Sequence, residues 1–312
     1  MTSFRFDDIP DQTGKAVLVT GANTGIGYEI ARHLARNGAR VLLGCRSEAR
    51  GEEASARIRG EGPGAQVEVV RLDLADMSSI RAAAEQVQGE PRLDVLVNNA
   101  GLMMPPKGHA HGVEQQFGVN HLGHFALTGL LLDKLEADGG GRVVVQSSIA
   151  HRGAVIDFDN LDASLGYGRQ GFYKQSKLAN LLFALELDRR LRAAGRPVKA
   201  VACHPGIAAT EITRYLGPAK AIGPVVGVFL NSAEDGALPA LQAATDPQVE
   251  GGEYLGPYGF MELRGHRSGP AYISRKARNA ELALRLWDRS VRLSGVDPNL
   301  PQTWEQDSSG PA

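Results

Sequence analysis

Tyr173 and Lys177 lie four residues apart in "GRQGFYKQSKLAN" (168–180), a spacing that puts both side chains on one face of a helix. A phenol beside an ammonium is either an ordinary helix pair or a device for moving a proton. Ser148 ends the strand-like run "GRVVVQSS" (141–148). Its hydroxyl can donate to an oxygen on which negative charge develops, or it can cap a turn. Asn120 sits inside the helical pattern of "FGVNHLGHF". A polar amide is out of place there unless it binds something, or caps or braces a kink.

A second constellation suits a phosphate. "VTGANTGIGYEI" puts Gly21, Gly25 and Gly27 where a short apolar strand turns into a helix. Glycines let the backbone approach a pyrophosphate closely, and a helix start offers free N–H groups and the positive end of its dipole. A purely structural βα turn is the alternative. A free ribose 2′-hydroxyl is met by an Asp or Glu after the second strand. Here that strand ends "LLGCRS", with Cys45 where the acid would stand and Arg46 next. A guanidinium suits a phosphate fork, so NADP(H) is favoured over NAD(H); otherwise Arg46 is a solvated surface residue. Asp73, ending "RLD", faces the ligand crevice if its strand carries the usual polarity. It could accept from an adenine amino group, cap the helix near Ser78, or brace the turn.

The elements that position these residues alternate. Strand-like runs at 15–21, 40–46, 66–74, 93–101, 141–148 and 198–206 are separated by helical patterns at 26–39, 48–59, 78–88, 113–137 and 171–195. This order predicts βαβ units, hence an α/β fold. The strands are mostly continuous apolar runs, as in a parallel sheet covered on both faces. The reading is a single Rossmann-type, doubly wound domain over 14–295, after an N-terminal arm (1–13). Residues 207–270 are rich in Gly and Pro and poorly periodic. They are read as a lid (207–231) and a C-terminal extension (250–270), followed by a last helix at 280–295 and a polar, disordered tail (296–312).

Composition excludes several classes. Of 312 residues, 43% are hydrophobic and 22% charged, ordinary for a globular protein, and a net charge of −1 argues against nucleic acid as a partner. Two cysteines, Cys45 and Cys203, do not make a disulfide framework and fit a cytoplasmic protein. The start "MTSFRFDDIPDQTGK" has no apolar signal core, and the apolar run "GPVVGVFL" is too short to span a bilayer. His121, His124 and His151 lack the spacing of metal ligands and are read as structural; no metal is expected.

Together, TGxxxGxG at 20–27, "NNAG" at 98–101, Asn120, Ser148, Tyr173-x-x-x-Lys177 and "HPG" at 204–206 resemble the short-chain dehydrogenase/reductase family over roughly residues 14–215. The long interval between Ser148 and Tyr173, with "SSIAHRG", "IDFDNLD" and "YKQSKLANLLF", resembles its branch of retinol dehydrogenases and WW-domain oxidoreductases, which mostly use NADP(H). Vertebrate members of that branch often carry an apolar membrane anchor; none is legible here, so no membrane anchor is expected.

The resemblance implies roles. Thr20, Gly21, Asn23, Gly25, Ile26 and Gly27 would hold the pyrophosphate and adjoining ribose. Arg46 would meet the 2′-phosphate, and Asp73 and Leu74 would border the adenine. Asn99, Ala100 and Gly101 would pack on the adenosine side. Pro205, Gly206, Ile207 and Thr210 would contact the nicotinamide. A water between Asn120 and Lys177 would lead protons to solvent. Homodimers or homotetramers through helices 113–137 and 171–195 would also be in keeping with the family.

The expected chemistry is hydride transfer between the nicotinamide and a hydrophobic alcohol or a ketone or aldehyde, as in a carbonyl reductase. Tyr173 would be the acid/base. Lys177 would favour its phenolate and bond the nicotinamide ribose, and Ser148 would donate to the carbonyl oxygen. The apolar content of 208–231, with "MMPP" (103–106) and "EYLGPYGFMEL" (253–263), suggests an apolar substrate pocket; a packing surface or oligomer contact is the alternative. From another class, a dinucleotide-binding regulatory protein that lost turnover would have the same fold, but its sign, a broken Ser–Tyr–Lys set, is absent.

Overall fold

The computed structural model describes residues 3–62, 64–137, 139–207 and 231–302. Thr210, most of the expected lid and the tail from 303 lie outside the described residues.

The alternating apolar runs form a sheet. Its parallel strands are β1 (Ala16–Thr20), β2 (Arg40–Cys45), β3 (Val67–Arg71), β4 (Val95–Asn98), β7 (Arg142–Gln146), β8 (Lys199–Cys203) and β9 (Tyr254–Pro257), with β10 (Ser268–Pro270) antiparallel. The order is β10-β9-β8-β7-β4-β1-β2-β3. A separate two-residue hairpin pairs β5 (His109–Ala110) with β6 (Val113–Glu114). In-register pairs such as Val17 with Val41 and Val95 align the carboxyl ends of the central strands.

Side chains alternate across the strands, and both faces are apolar. Leu18, Leu42, Leu96, Val143 and Ala200 join one core cluster, and Val17, Val19, Val41, Val97, Val144 and Val201 the other. That is why the runs lack polar alternation. The second face is covered by α1 (Gly25–Arg36), α2 (Glu48–Glu61) and α7 (Ala233–Thr245). The first is covered by α3 (Met77–Gln88), α5 (Gly123–Glu136) and α6 (Arg169–Ala193), with α8 (Ala280–Ser294) extending the same core cluster. α8 lies over the outer side of α5 and α6. Trp287 meets Phe125 edge-on at 5.1 Å and Phe183 at 6.1 Å, and the Arg190 guanidinium stacks over its ring at 4.3 Å. The helices expected to mediate self-association therefore already carry a cover from their own chain. No helix among the described residues is long and apolar enough to cross a membrane.

Two expectations are corrected. The helix expected over 113–137 is composite: β6, then α4 (Gln115–Phe117), a π-turn (Gly118–Leu122) and α5. The buried Glu114 carboxylate accepts from Gln116 N at 2.9 Å and Phe117 N at 3.2 Å, so the helical stretch starts after it. Residues 233–270, read as aperiodic, hold α7, β9 and β10. Gly236 and Pro239 inside α7 hide it, because both oppose helix in isolation. In the fold Gly236 packs on Ile26 and Pro205, where even an added Cβ would meet each at an ordinary contact distance of 3.4 Å. β10 ends in Pro270 and pairs with β9, while Phe4 of the N-terminal arm bridges to Ser268. Prolines are tolerated at such an edge.

Candidate active site

The site forms at the carboxyl ends of the central strands. A cavity of about 540 Å³ runs from the β1–α1 turn past β2, β3 and β4 to α6. Its lining includes Gly21, Asn23, Gly25, Ile26, Gly27, Arg46, Asp73, Leu74, Asn99, Ala100, Gly101, Tyr173 and Lys177. Residues spread over about 150 positions of chain are thus collected by the parallel register.

The glycine turn is shaped as a cradle. Gly21 has φ +68° and Gly25 φ +58°, conformations that glycine adopts without cost. A Cβ at Gly27 would lie 2.4 Å from the Gly21 carbonyl oxygen and 2.5 Å from Asn99 Nδ2. The α1 start is left open: Thr24 makes no side-chain cap, whereas Ser47, Asp76, Ser232 and Asn279 cap α2, α3, α7 and α8. Uncapped first-turn N–H groups above a cavity fit an anionic group. The residues present therefore fit a dinucleotide, whose pyrophosphate Gly21–Gly27 would hold.

Thr20 departs from expectation. It is fully buried, and its Oγ accepts from Asn99 N at 3.0 Å and Ala100 N at 2.9 Å and contacts His124 Nε2 at 2.9 Å. It joins the ends of β1 and β4 rather than lining the cavity. Cys45, the residue standing where an acid would be, does not face the cavity either. Its side chain packs in the core under α2, and burial pushes its thiol up to about 11. Gly44, not Cys45, lines the cavity there. Cys203 is also buried and free, pushed up to about 12 by burial. Asp73 braces its turn by accepting from Ala75 N at 3.0 Å, while Asp76 caps α3.

At the other end, α6 presents Tyr173 and Lys177, 6% and 3% exposed. Lys177 Nζ lies 5.8 Å from the Tyr173 ring centroid and donates to the Gln146 carbonyl at 3.2 Å. Ser147 Oγ donates to the Lys177 carbonyl at 2.7 Å, fixing α6 on β7. Asn120 lies in the π-turn, and its side chain is committed. Oδ1 accepts from Leu102 N at 2.7 Å, and Nδ2 donates to Leu102 O and Ser176 Oγ, each at 2.9 Å. Ser176 donates onward to the Tyr173 carbonyl at 2.8 Å. Asn120 thus braces the 99–102 loop against the turn of α6 that carries the phenol. Its Oδ1 and Lys177 Nζ face the same spot: a Cβ at Gly101 would meet them at 3.3 and 3.5 Å.

Ser148 is buried and extended, two residues past β7, and its Oγ accepts from Ala150 N at 3.2 Å. Among the described residues Ser148 and Asn120 lie outside the cavity lining, as do Pro205, Gly206 and Ile207 after β8. The histidines serve the scaffold. Burial pushes His121 down to about 3 and His124 down to about 4. His121 contacts Ser290 Oγ at 2.7 Å across to α8. Glu29, His33 and Glu234 cluster in a way that resembles a metal set. Arg32 already bridges their carboxylates at 2.7 Å, so an ion-pair network fills that place.

Sequence reasoning missed Ser47, Arg50 and Gln146 in the lining. Arg50 follows Arg46 by one helical turn across the cap of α2, a spacing that was legible. Gln146 ends β7, and the rule that ligands lie beyond strand carboxyl ends would have found it.

The sequence profile of the family described as short chain dehydrogenase matches residues 15–221. Retinol dehydrogenase 13 of Homo sapiens is 42% identical over 293 residues, covering 91% of this chain and 86% of that protein. Retinol dehydrogenase 12 of Mus musculus is 44% identical over 287 residues, covering 91% and 87%. Among solved structures, an uncharacterized protein from Mycobacterium Paratuberculosis is similar at 40% identity with a TM-score of 0.79, over 95% of this chain and 99% of that one. A short chain dehydrogenase from Shigella flexneri complexed with NADP is similar at 25% identity with a TM-score of 0.61, over 78% and 97%.

Proposed function

Because the chain belongs to the short-chain dehydrogenase/reductase family, we propose that it is an NADP(H)-dependent oxidoreductase acting on a hydrophobic alcohol or the matching ketone or aldehyde, with Tyr173 as acid/base. The observation that carries this reading is one cavity with a phosphate cradle at one end and the buried Tyr173–Lys177 pair at the other.

Gly21–Gly27 and the open start of α1 would hold the pyrophosphate. Arg46, with Ser47 and Arg50 beside it in the lining, would hold the 2′-phosphate. Bound NADP(H) supplies or accepts the hydride. The chain handles the proton. Lys177, held on the Gln146 carbonyl, favours the phenolate of Tyr173 by its charge. Tyr173 gives its proton to the substrate oxygen in reduction and takes it back in oxidation. Ser148 donates to that oxygen, and the Asn120–Ser176 brace holds α6 in place. The similarity to proteins named retinol dehydrogenases supports an apolar substrate.

The test is absorbance at 340 nm with NADPH and a panel of apolar aldehydes and ketones. Tyr173→Phe keeps the buried ring and removes the proton, so kcat is expected to fall about 10²- to 10⁴-fold while NADPH binding stays. Tight NADPH binding without turnover of any substrate would favour a regulatory protein instead. Retained activity in Tyr173→Phe would exclude the mechanism.

A further inference from the structure

The segment after Ser148 and the segment after β8 converge on one carboxylate. Glu262 Oε2 takes an ion pair from Arg152 Nη2 and lies 3.1 Å from His204 Nε2. Its Oε1 accepts from Tyr272 N at 2.9 Å. His204 is fully buried, and its Nδ1 accepts from Gly206 N at 3.2 Å. A ring nitrogen that accepts an N–H carries no proton, so the neutral ring holds its proton on Nε2, aimed at the carboxylate. Gly256 makes room for this ring: a Cβ there would lie 2.1 Å from His204 Nε2.

The chain thus runs from the Arg152 guanidinium through Glu262 and His204 to the backbone of Gly206, which has φ +74°. Arg152 ends the turn that Ser148 caps. The stretch bearing Glu262 also grips residues 205–207 directly. Leu263 O accepts from Ile207 N at 2.9 Å. Asn231 joins Pro205 O at 2.8 Å to Gly265 N at 3.1 Å. Met261 and Glu262 are held at φ +53° and +60°, a backbone that non-glycine residues keep only where surroundings impose it. Met261 points to solvent, 61% exposed, and Glu262 points inward.

We propose that Glu262 is a positioning residue: through His204 it sets Pro205-Gly206, and through Arg152 it sets the turn beginning at Ser148, so both flanks of the reaction centre are held in one register. This rests on the oxidoreductase reading above. An exposed loop ion pair would have little consequence. The buried imidazole between the carboxylate and a backbone amide is what separates this arrangement from one.

Two variants test it, with NADPH as the cofactor and the aldehyde and ketone panel as substrates. Glu262→Ala removes the acceptor for Nε2–H. Its kcat is expected to fall about 10- to 100-fold, the scale of a misplaced reaction centre, with the NADPH Kd from fluorescence titration within about twofold. Glu262→Gln retains an acceptor oxygen for His204 and should recover most of kcat. Long-range ¹H–¹⁵N spectra should show the Nε2–H tautomer of His204 in wild type and Glu262→Gln and its loss in Glu262→Ala. The proposal is overturned if Glu262→Ala leaves kcat unchanged, whatever the tautomer, or if kcat and NADPH affinity fall in parallel in both variants. Absence of turnover in wild type fails the oxidoreductase reading and the positioning role together. Wild-type turnover with unchanged kcat in Glu262→Ala fails the positioning role alone. Should Glu262→Ala not fold, Glu262→Gln decides: an Nδ1–H ring in it overturns the proposal.

Discussion

Gly27→Ala sets two effects of known size against each other. Gly27 lies inside α1, where Ala is intrinsically better than Gly by about 1 kcal/mol. The added Cβ would fall 2.4 Å from the Gly21 carbonyl oxygen and 2.5 Å from Asn99 Nδ2. Neither neighbour yields easily. The first is backbone at the end of β1, and the second is tied to Thr20 O at 2.8 Å. Forcing extra volume into such a site costs about 1–3 kcal/mol, so the clash is expected to win and leave a net loss of up to about 2 kcal/mol. Gly60, inside α2 with nothing within 4 Å of its Cβ position, is the internal control. Gly60→Ala should gain up to about 1 kcal/mol. Denaturant unfolding with and without NADPH reads both. Gly27→Ala should also weaken NADPH, because the carbonyl that must move belongs to the phosphate turn. A stabilised Gly27→Ala, or one with wild-type NADPH affinity, refutes the cradle.

Arg46→Ala should raise the KM for NADPH about 10-fold or more, the scale of a charge-assisted contact, and leave NADH nearly unchanged; an equal response makes Arg46 a surface residue. Thr20→Val keeps shape and removes the oxygen that accepts from Asn99 N and Ala100 N. Two stranded donors cost about 2–6 kcal/mol in all, to be read as a shifted urea midpoint; a loss under about 1 kcal/mol rejects the brace. His121 and His124 are held down to about 3 and about 4, by burial first of all, so the unfolded chain binds protons there that the native chain refuses. Stability is then full above about pH 6.5 and is lost as pH falls toward 4, by up to about 1.4 kcal/mol per pH unit for each ring. Burial raises the carboxyls of Glu114 and Asp188, which opposes this loss, so the comparison is with His121→Phe. Its denaturation midpoint should fall less between pH 7 and pH 5, and an equal fall refutes the assignment.

Much of the site was legible before the fold was known. Glycines at a strand-to-helix turn admit few uses, and a phenol four residues before an ammonium share a face whatever the tertiary context. The apolar strand runs also announce a sheet covered on both sides. What misled the reading has local causes. Gly236 and Pro239 mask α7, since propensity counts against them and packing on α1 overrides it. Glu114 interrupts a periodic apolar pattern with a buried cap that periodicity cannot register. Thr20 and Cys45 stand beside cavity residues in the chain, but strand alternation turns their side chains elsewhere.

The sequence by itself determined the alternating α/β order, the glycine turn after β1 and the Tyr173–Lys177 pair, because these depend on residues close together along the chain. Only the tertiary structure decided which of Gly44 and Cys45 faces the cavity, that Asn120 braces Leu102 and Ser176, and that Glu262 meets Arg152 and His204. Those contacts join segments about 20 to 110 positions apart. Sheet register and loop closure create them, and no local periodicity records either.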